Sequence, residues 1–182
     1  MKNSLIFIFS AFTIFHTSAQ TQFPADWVGD YEGEMVIGNI DKPSTTAQVE
    51  YSLHEVIEDS VWSHKMTFKS DEYGDVVKDY VIRARKKGDR VNFILDELNG
   101  IKMEMSFMNN CLYGLFMLNE SSYATTFRRL SDGSLLWDLH VTAHDTKKVN
   151  SVASEEGEEK QTFEVRSYKP SLHQTVAFQK KR

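Results

Sequence analysis

From residue 31 onward, apolar side chains recur at every second position in short runs, and turn-forming residues interrupt those runs about every ten positions. A period of two sends successive side chains to opposite faces of a strand, and almost no stretch repeats at the helical period. The chain is therefore expected to be all-β. The runs cover 31–37, 48–56, 61–69, 76–85, 90–96, 101–108, 112–118, 123–130, 135–143, 162–168 and 173–180. Between them, Lys87-Gly88-Asp89, Leu98-Asn99-Gly100, Met108-Asn109-Asn110 and Ser131-Asp132-Gly133 supply residues that tolerate positive φ in tight antiparallel turns. Sequential hairpins make a meander. About ten such strands would expose long edges as an open sheet, so an antiparallel up-and-down barrel is expected rather than a sandwich. The long irregular stretch 145–161 reads as a mobile loop or a broken hairpin. Its run Glu155-Glu156-Gly157-Glu158-Glu159 lacks the spaced ligands of a calcium loop and reads as solvated charge.

Residues 1–19 have the three parts of a secretory signal peptide: Lys2, an apolar run over 5–15, and Thr17-Ser18-Ala19 before a cleavage point near Gln20. The apolar run is too short to span a bilayer, and no later stretch approaches the roughly 20 residues needed. The expectation is a secreted or periplasmic protein with one barrel domain over 20–182, and the short Phe- and Ile-rich leader reads as bacterial. Loss of Lys2 takes the formal charge from -5 to -6, which argues against a nucleic-acid partner. The only cysteine, Cys111, forbids an intramolecular disulfide and lies away from the cleavage point, so no lipid anchor is expected there. Its place beside Leu112 in an apolar strand reads as a buried, inert thiol.

Strand parity assigns faces. Inward sets are Trp62, His64, Met66 and Phe68; Tyr80, Ile82 and Ala84; Val91, Phe93 and Leu95; Ile101, Met103, Met105 and Phe107; and Leu135, Trp137, Leu139 and Val141. Such residues either fill a barrel or line an apolar cavity with a few polar handles, and sequence leaves the two open. The candidate lining residues are Tyr51, Trp62, His64, Met66, Tyr80, Met103, Met105, Tyr113, Tyr123 and Trp137. Strand 112–118 is apolar on both faces, so its outer side needs a covering segment or a protein partner.

The segment Phe23-Pro24-Ala25-Asp26-Trp27-Val28-Gly29-Asp30-Tyr31-Glu32-Gly33 puts a tryptophan just ahead of a glycine-punctuated first strand, with a meander following. This arrangement resembles the calycin group of lipocalins, fatty-acid-binding proteins and bacterial lipocalin-like proteins. The resemblance implies that Trp27 closes one barrel end and packs on a basic side chain from a late strand, Arg128 or Arg129. The C-terminal run 172–181 also resembles the last strand of nitrobindin-like haem barrels, whose proximal histidine lies near that point. Alternation places His173 opposite Leu172, Val176 and Phe178, on the outer face, so haem ligation is not expected.

No serine nucleophile elbow, phosphate loop or Walker lysine occurs, and His140 and His144 lie about 13 Å apart along one strand, too far to share a metal. No metal and no catalytic set is expected. The leading expectation is an exported barrel that binds a small apolar or amphipathic molecule non-covalently. The rivals are an interaction module with a filled barrel, acting through 112–118 or the acidic loop, and a barrel enzyme using His64 as base.

Overall fold

The computed structural model describes residues 22–70, 74–144, 148–156 and 159–182, with the backbone alone over 148–156 and 159–165. A single 3-10 turn, Ala25–Trp27, precedes the strands. These are β1 (Gly29–Asn39), β2 (Lys42–Leu53), β3 (Glu55–Ile57), β4 (Val61–Phe68), β5 (Val76–Ala84), β6 (Asn92–Asp96) and β7 (Lys102–Met108), then β8 (Cys111–Leu118), β9 (Ser121–Arg129), β10 (Leu135–Ala143), β11 (Lys148–Glu156), β12 (Glu159–Ser167) and β13 (Pro170–Lys180).

Hydrogen-bonded neighbours run β2-β1-β13-β10-β9-β8-β7-β6-β5-β4, and β2 pairs again with β4, through Val49↔Phe68 to Ser52↔Lys65. That pairing closes a ten-stranded antiparallel barrel. Its topology is the lipocalin-like meander, since each wall strand neighbours the next wall strand in sequence. The strand β3 is a short continuation of β2 that caps β4 through Glu55↔Trp62.

Two differences from the sequence reading have physical causes. First, Lys148–Glu156, read as part of a mobile loop or a broken hairpin, forms β11, which pairs in register with β12 from Lys148↔Ser167 to Glu156↔Glu159. The polar strand β11 carries no alternation to read, whereas β12 overlaps the run 162–168 read from sequence. Secondly, β2 begins at Lys42, six residues before its readable apolar run, because residues 42–46 are exposed on both sides.

Register defines two barrel ends. Gly29, Leu53, Val61, Cys111, Arg129, Leu135 and Lys180 mark one end; Asn39, Phe68, Lys102, Leu118, Ser121 and Leu172 mark the other. The first is packed shut. Trp27 is fully buried, with its ring edge-on to Phe23 at 4.9 Å and to Phe127 at 5.4 Å, and Phe23 stacks on Phe107 at 5.2 Å. The Tyr31 hydroxyl donates to the Trp27 carbonyl at 2.8 Å, fixing the turn onto β1. Gly33 permits the close approach of β13 here: a Cβ would lie 2.6 Å from the Ala177 carbonyl oxygen, a backbone atom that cannot move aside.

Several sequence-assigned side chains fall elsewhere. Ile101 and Val91 are exposed at strand ends. Cys111 is fully buried. No covering segment lies over the outer face of β8 among the described residues: Leu115 is 78% exposed and Met117 63%. Among the described residues no helix is long and apolar enough to cross a membrane. Residues 1–19, on which the signal peptide is read, lie outside the described residues.

Candidate functional site

Ten strands enclose a wider interior than eight, and side chains do not fill all of it. Above the packed end lies a cavity of about 280 Å³. This is near the lower bound of small-molecule sites, roughly 300–1,000 Å³. It is lined by His64, Met66 and Phe68 of β4, Lys78 and Tyr80 of β5, Leu95 and Glu97 at the end of β6, and Met103 of β7. Phe116 and Leu118 of β8, Tyr123 and Thr125 of β9, and Trp137 and Leu139 of β10 complete the wall. Most of these lie toward the Phe68 and Leu118 ends of their strands, so the cavity occupies the half of the barrel opposite Trp27.

Six sequence-assigned residues meet around this space: His64, Met66, Tyr80, Met103, Tyr123 and Trp137. Three others point inward at a different depth. Trp62 packs in the closed half, 6.3 Å from Phe93. Met105 is buried against Gly114, where a Cβ would meet its sulfur at 2.5 Å. Tyr51 lies behind His64, fully buried, with its hydroxyl 3.0 Å from His64 Nδ1 and the two rings edge-to-face at 5.2 Å. Tyr113 is a correction. It alternates with Leu112 and Gly114, whose side of β8 meets Met105, so its phenol stands on the outer wall beside Arg128.

Arg128 is likewise on the outer wall, exposed, and does not close the barrel. Arg129, the next residue, falls on the inner row, where its charge acts on the Tyr31 phenol at the closed end. A different cation of the last strand reaches the segment after Trp27: Lys180 Nζ donates to the Val28 carbonyl at 2.8 Å and sits 5.8 Å from the Tyr31 ring centroid. His173 lies on the outer wall, stacked on His140 at 4.4 Å, with Nε2 3.3 Å from the Asp138 carboxylate.

Burial sets the electrostatics of the cavity. It lowers the His64 imidazole from 6.5 to about 4, so the ring is neutral near pH 7. The Tyr51 phenol is held well above its usual value, first by burial and then by Tyr31. Tyr80 is pushed up to about 12 by burial and by the Glu97 carboxylate that it meets. An imidazole this hard to protonate makes a weak general base at neutral pH. Chemically, the site provides an apolar chamber, a neutral imidazole at its inner end, and the charged Lys78 and Glu97 toward the mouth. Lys78 shares the parity of Tyr80 and was readable from sequence; Glu97 follows its strand and carries no such signal.

A larger depression of about 750 Å³ lies on the outer wall near Lys65, Lys180 and Glu50. Its one lining glutamate is already paired, Glu50 with Lys181 at 2.7 Å and with the neighbouring Lys69 at 3.2 Å, and it opens to solvent. The barrel cavity is the better candidate because it removes a ligand's apolar surface from water.

No family profile matches the sequence, and no curated protein matches it. The fold resembles that of the S-type phycobiliprotein lyase CPES from Guillardia theta, with a TM-score of 0.58 at 9% identity over 87% of this chain and 89% of that one. Rv2717c from M. tuberculosis covers 87% of this chain and 94% of its own at 10% identity, with a TM-score of 0.39 too low to build on. At 9% identity the first likeness shows the fold alone.

Proposed function

We propose that this protein is an exported lipocalin-like carrier that binds a small, mainly apolar molecule non-covalently in the cavity above His64. The carrying observation is the asymmetry of the interior: aromatic rings pack one half solid, while the other keeps a chamber of about 280 Å³ walled by Met, Phe, Trp and Leu. A folded chain gains by filling such a space, because unfilled apolar volume forfeits dispersion contacts. That a phycobiliprotein lyase shares the fold is compatible with this reading. Export rests on the pattern of residues 1–19, and recovery of the processed chain outside the cytoplasm tests it.

Filling the chamber tests binding. Leu139→Trp, on the inner wall of β10, is expected to weaken binding of a neutral apolar fluorophore such as N-phenyl-1-naphthylamine at least tenfold, while the denaturation midpoint does not fall. Equal binding in the two proteins would sink the reading.

Leu115 and Met117, exposed side by side on one face of β8, favour a second reading, a protein contact on the outer wall. If it holds, sedimentation shows self-association or a co-purifying partner that Leu115→Glu abolishes. A wild-type monomer without a partner removes it.

A further inference from the structure

The polar end of the ligand is legible in one hydrogen bond. Tyr51 is fully buried, and among the described residues the only partner of its hydroxyl is His64 Nδ1, at 3.0 Å. A buried O–H left without an acceptor is unfavourable, and Nδ1 accepts only if it carries no hydrogen. Tyr51 therefore donates, and the neutral ring keeps its proton on Nε2. That atom has no partner among the described residues, while His64 itself forms part of the cavity wall.

The inner end of the chamber thus presents a neutral N–H donor. The charged groups, Lys78 and Glu97, belong to the mouth, and Glu97 is engaged with the Tyr80 hydroxyl. Three ligand tips behave differently there. A hydrocarbon leaves the N–H unpaired. An ionised carboxylate gives up its hydration for one uncharged donor. A carbonyl oxygen accepts the bond and brings no charge. We infer that the cavity selects small apolar molecules bearing a neutral carbonyl, seated carbonyl-first on His64 Nε2–H, with Tyr51 as the positioning residue that fixes the tautomer. This inference rests on the binding reading above.

Three naphthalenes of nearly equal shape test it by titration against the purified protein at pH 7: 2-acetylnaphthalene, 2-isopropenylnaphthalene and 2-naphthoate. The ketone is expected to bind roughly tenfold tighter than the hydrocarbon and the carboxylate, the discrimination of about one buried hydrogen bond. In His64→Leu the preference for the ketone over the hydrocarbon disappears while the hydrocarbon still binds. Long-range 1H–15N spectra of the imidazole are expected to show the Nε2–H tautomer in the wild type and a mixture in Tyr51→Phe. The spectra and the wild-type comparison stand even if a variant fails to fold. An Nδ1–H tautomer, or a ketone no tighter than the hydrocarbon or the naphthoate, overturns the inference and leaves the cavity a binding site. If no naphthalene binds, the binding reading itself falls and takes the inference with it.

Discussion

Acidification from pH 6.5 to 4 is expected to remove roughly 3 kcal/mol of folding stability through His64 alone. In the unfolded chain this histidine takes up a proton as the pH falls through 6.5, its ordinary value. In the folded protein, burial keeps it neutral down to about pH 4. Between those limits unfolding binds a proton, so added acid favours the unfolded state by about 1.4 kcal/mol per pH unit. Above 6.5 neither state is protonated and the contribution is whole; below 4 it is gone. Carboxylates add a separate acid loss at lower pH. Asp96 is held down first by the Leu98 N–H and then by Arg83, and Asp132 by Ser134. Urea denaturation at half-unit pH steps reads the slope, and His64→Gln, which keeps a polar side chain without a titrating group, is expected to flatten it between 6.5 and 4.5. An unchanged slope in that variant would mean that His64 is not the buried neutral group.

The barrel walls were legible because an antiparallel meander has one face in contact with a core, and β10, for instance, occupies 135–143 in both sequence pattern and structure. Depth within the barrel was not legible. Parity tells which side of the wall a residue faces, while the level along the axis depends on the stagger between strands. Hence Trp62, His64 and Met66 read as equivalent, although Trp62 belongs to the packed half and the other two to the chamber. Tyr113 was hidden for another reason. With both faces of β8 apolar, alternation gave no contrast, and only its pairing with Ser106 and Thr126 places it outside. The Tyr51–His64 bond joins adjacent strands whose pairing, Tyr51↔Met66, no local pattern announces.

Trp27→Ala is expected to destabilise the protein by about 3–5 kcal/mol, the usual range for removing a large buried aromatic side chain. The ring has no exposed surface and lies in edge contact with Phe23, Phe107 and Phe127, so its loss leaves a void bounded by rings that cannot all collapse inward. Its indole N–H has no hydrogen-bond partner among the described residues, so no polar compensation is lost with it and the penalty is one of packing. Trp27→Phe is therefore expected to recover much of the stability. The effect on ligand affinity should be small. Between Trp27 and the chamber stands Phe127, 5.4 Å from the Trp27 ring on one side and 4.9 and 6.2 Å from Tyr51 and His64 on the other. If the barrel is a rigid wall with a plug at one end and a site at the other, Trp27→Ala lowers the guanidinium midpoint while probe affinity, measured well below it, stays within about threefold, since none of the rings that Trp27 touches lines the chamber and Phe127 keeps its contacts with Tyr51 and His64. Loss of binding in step with stability would instead make the aromatic column from Trp27 through Phe127 to His64 part of the site.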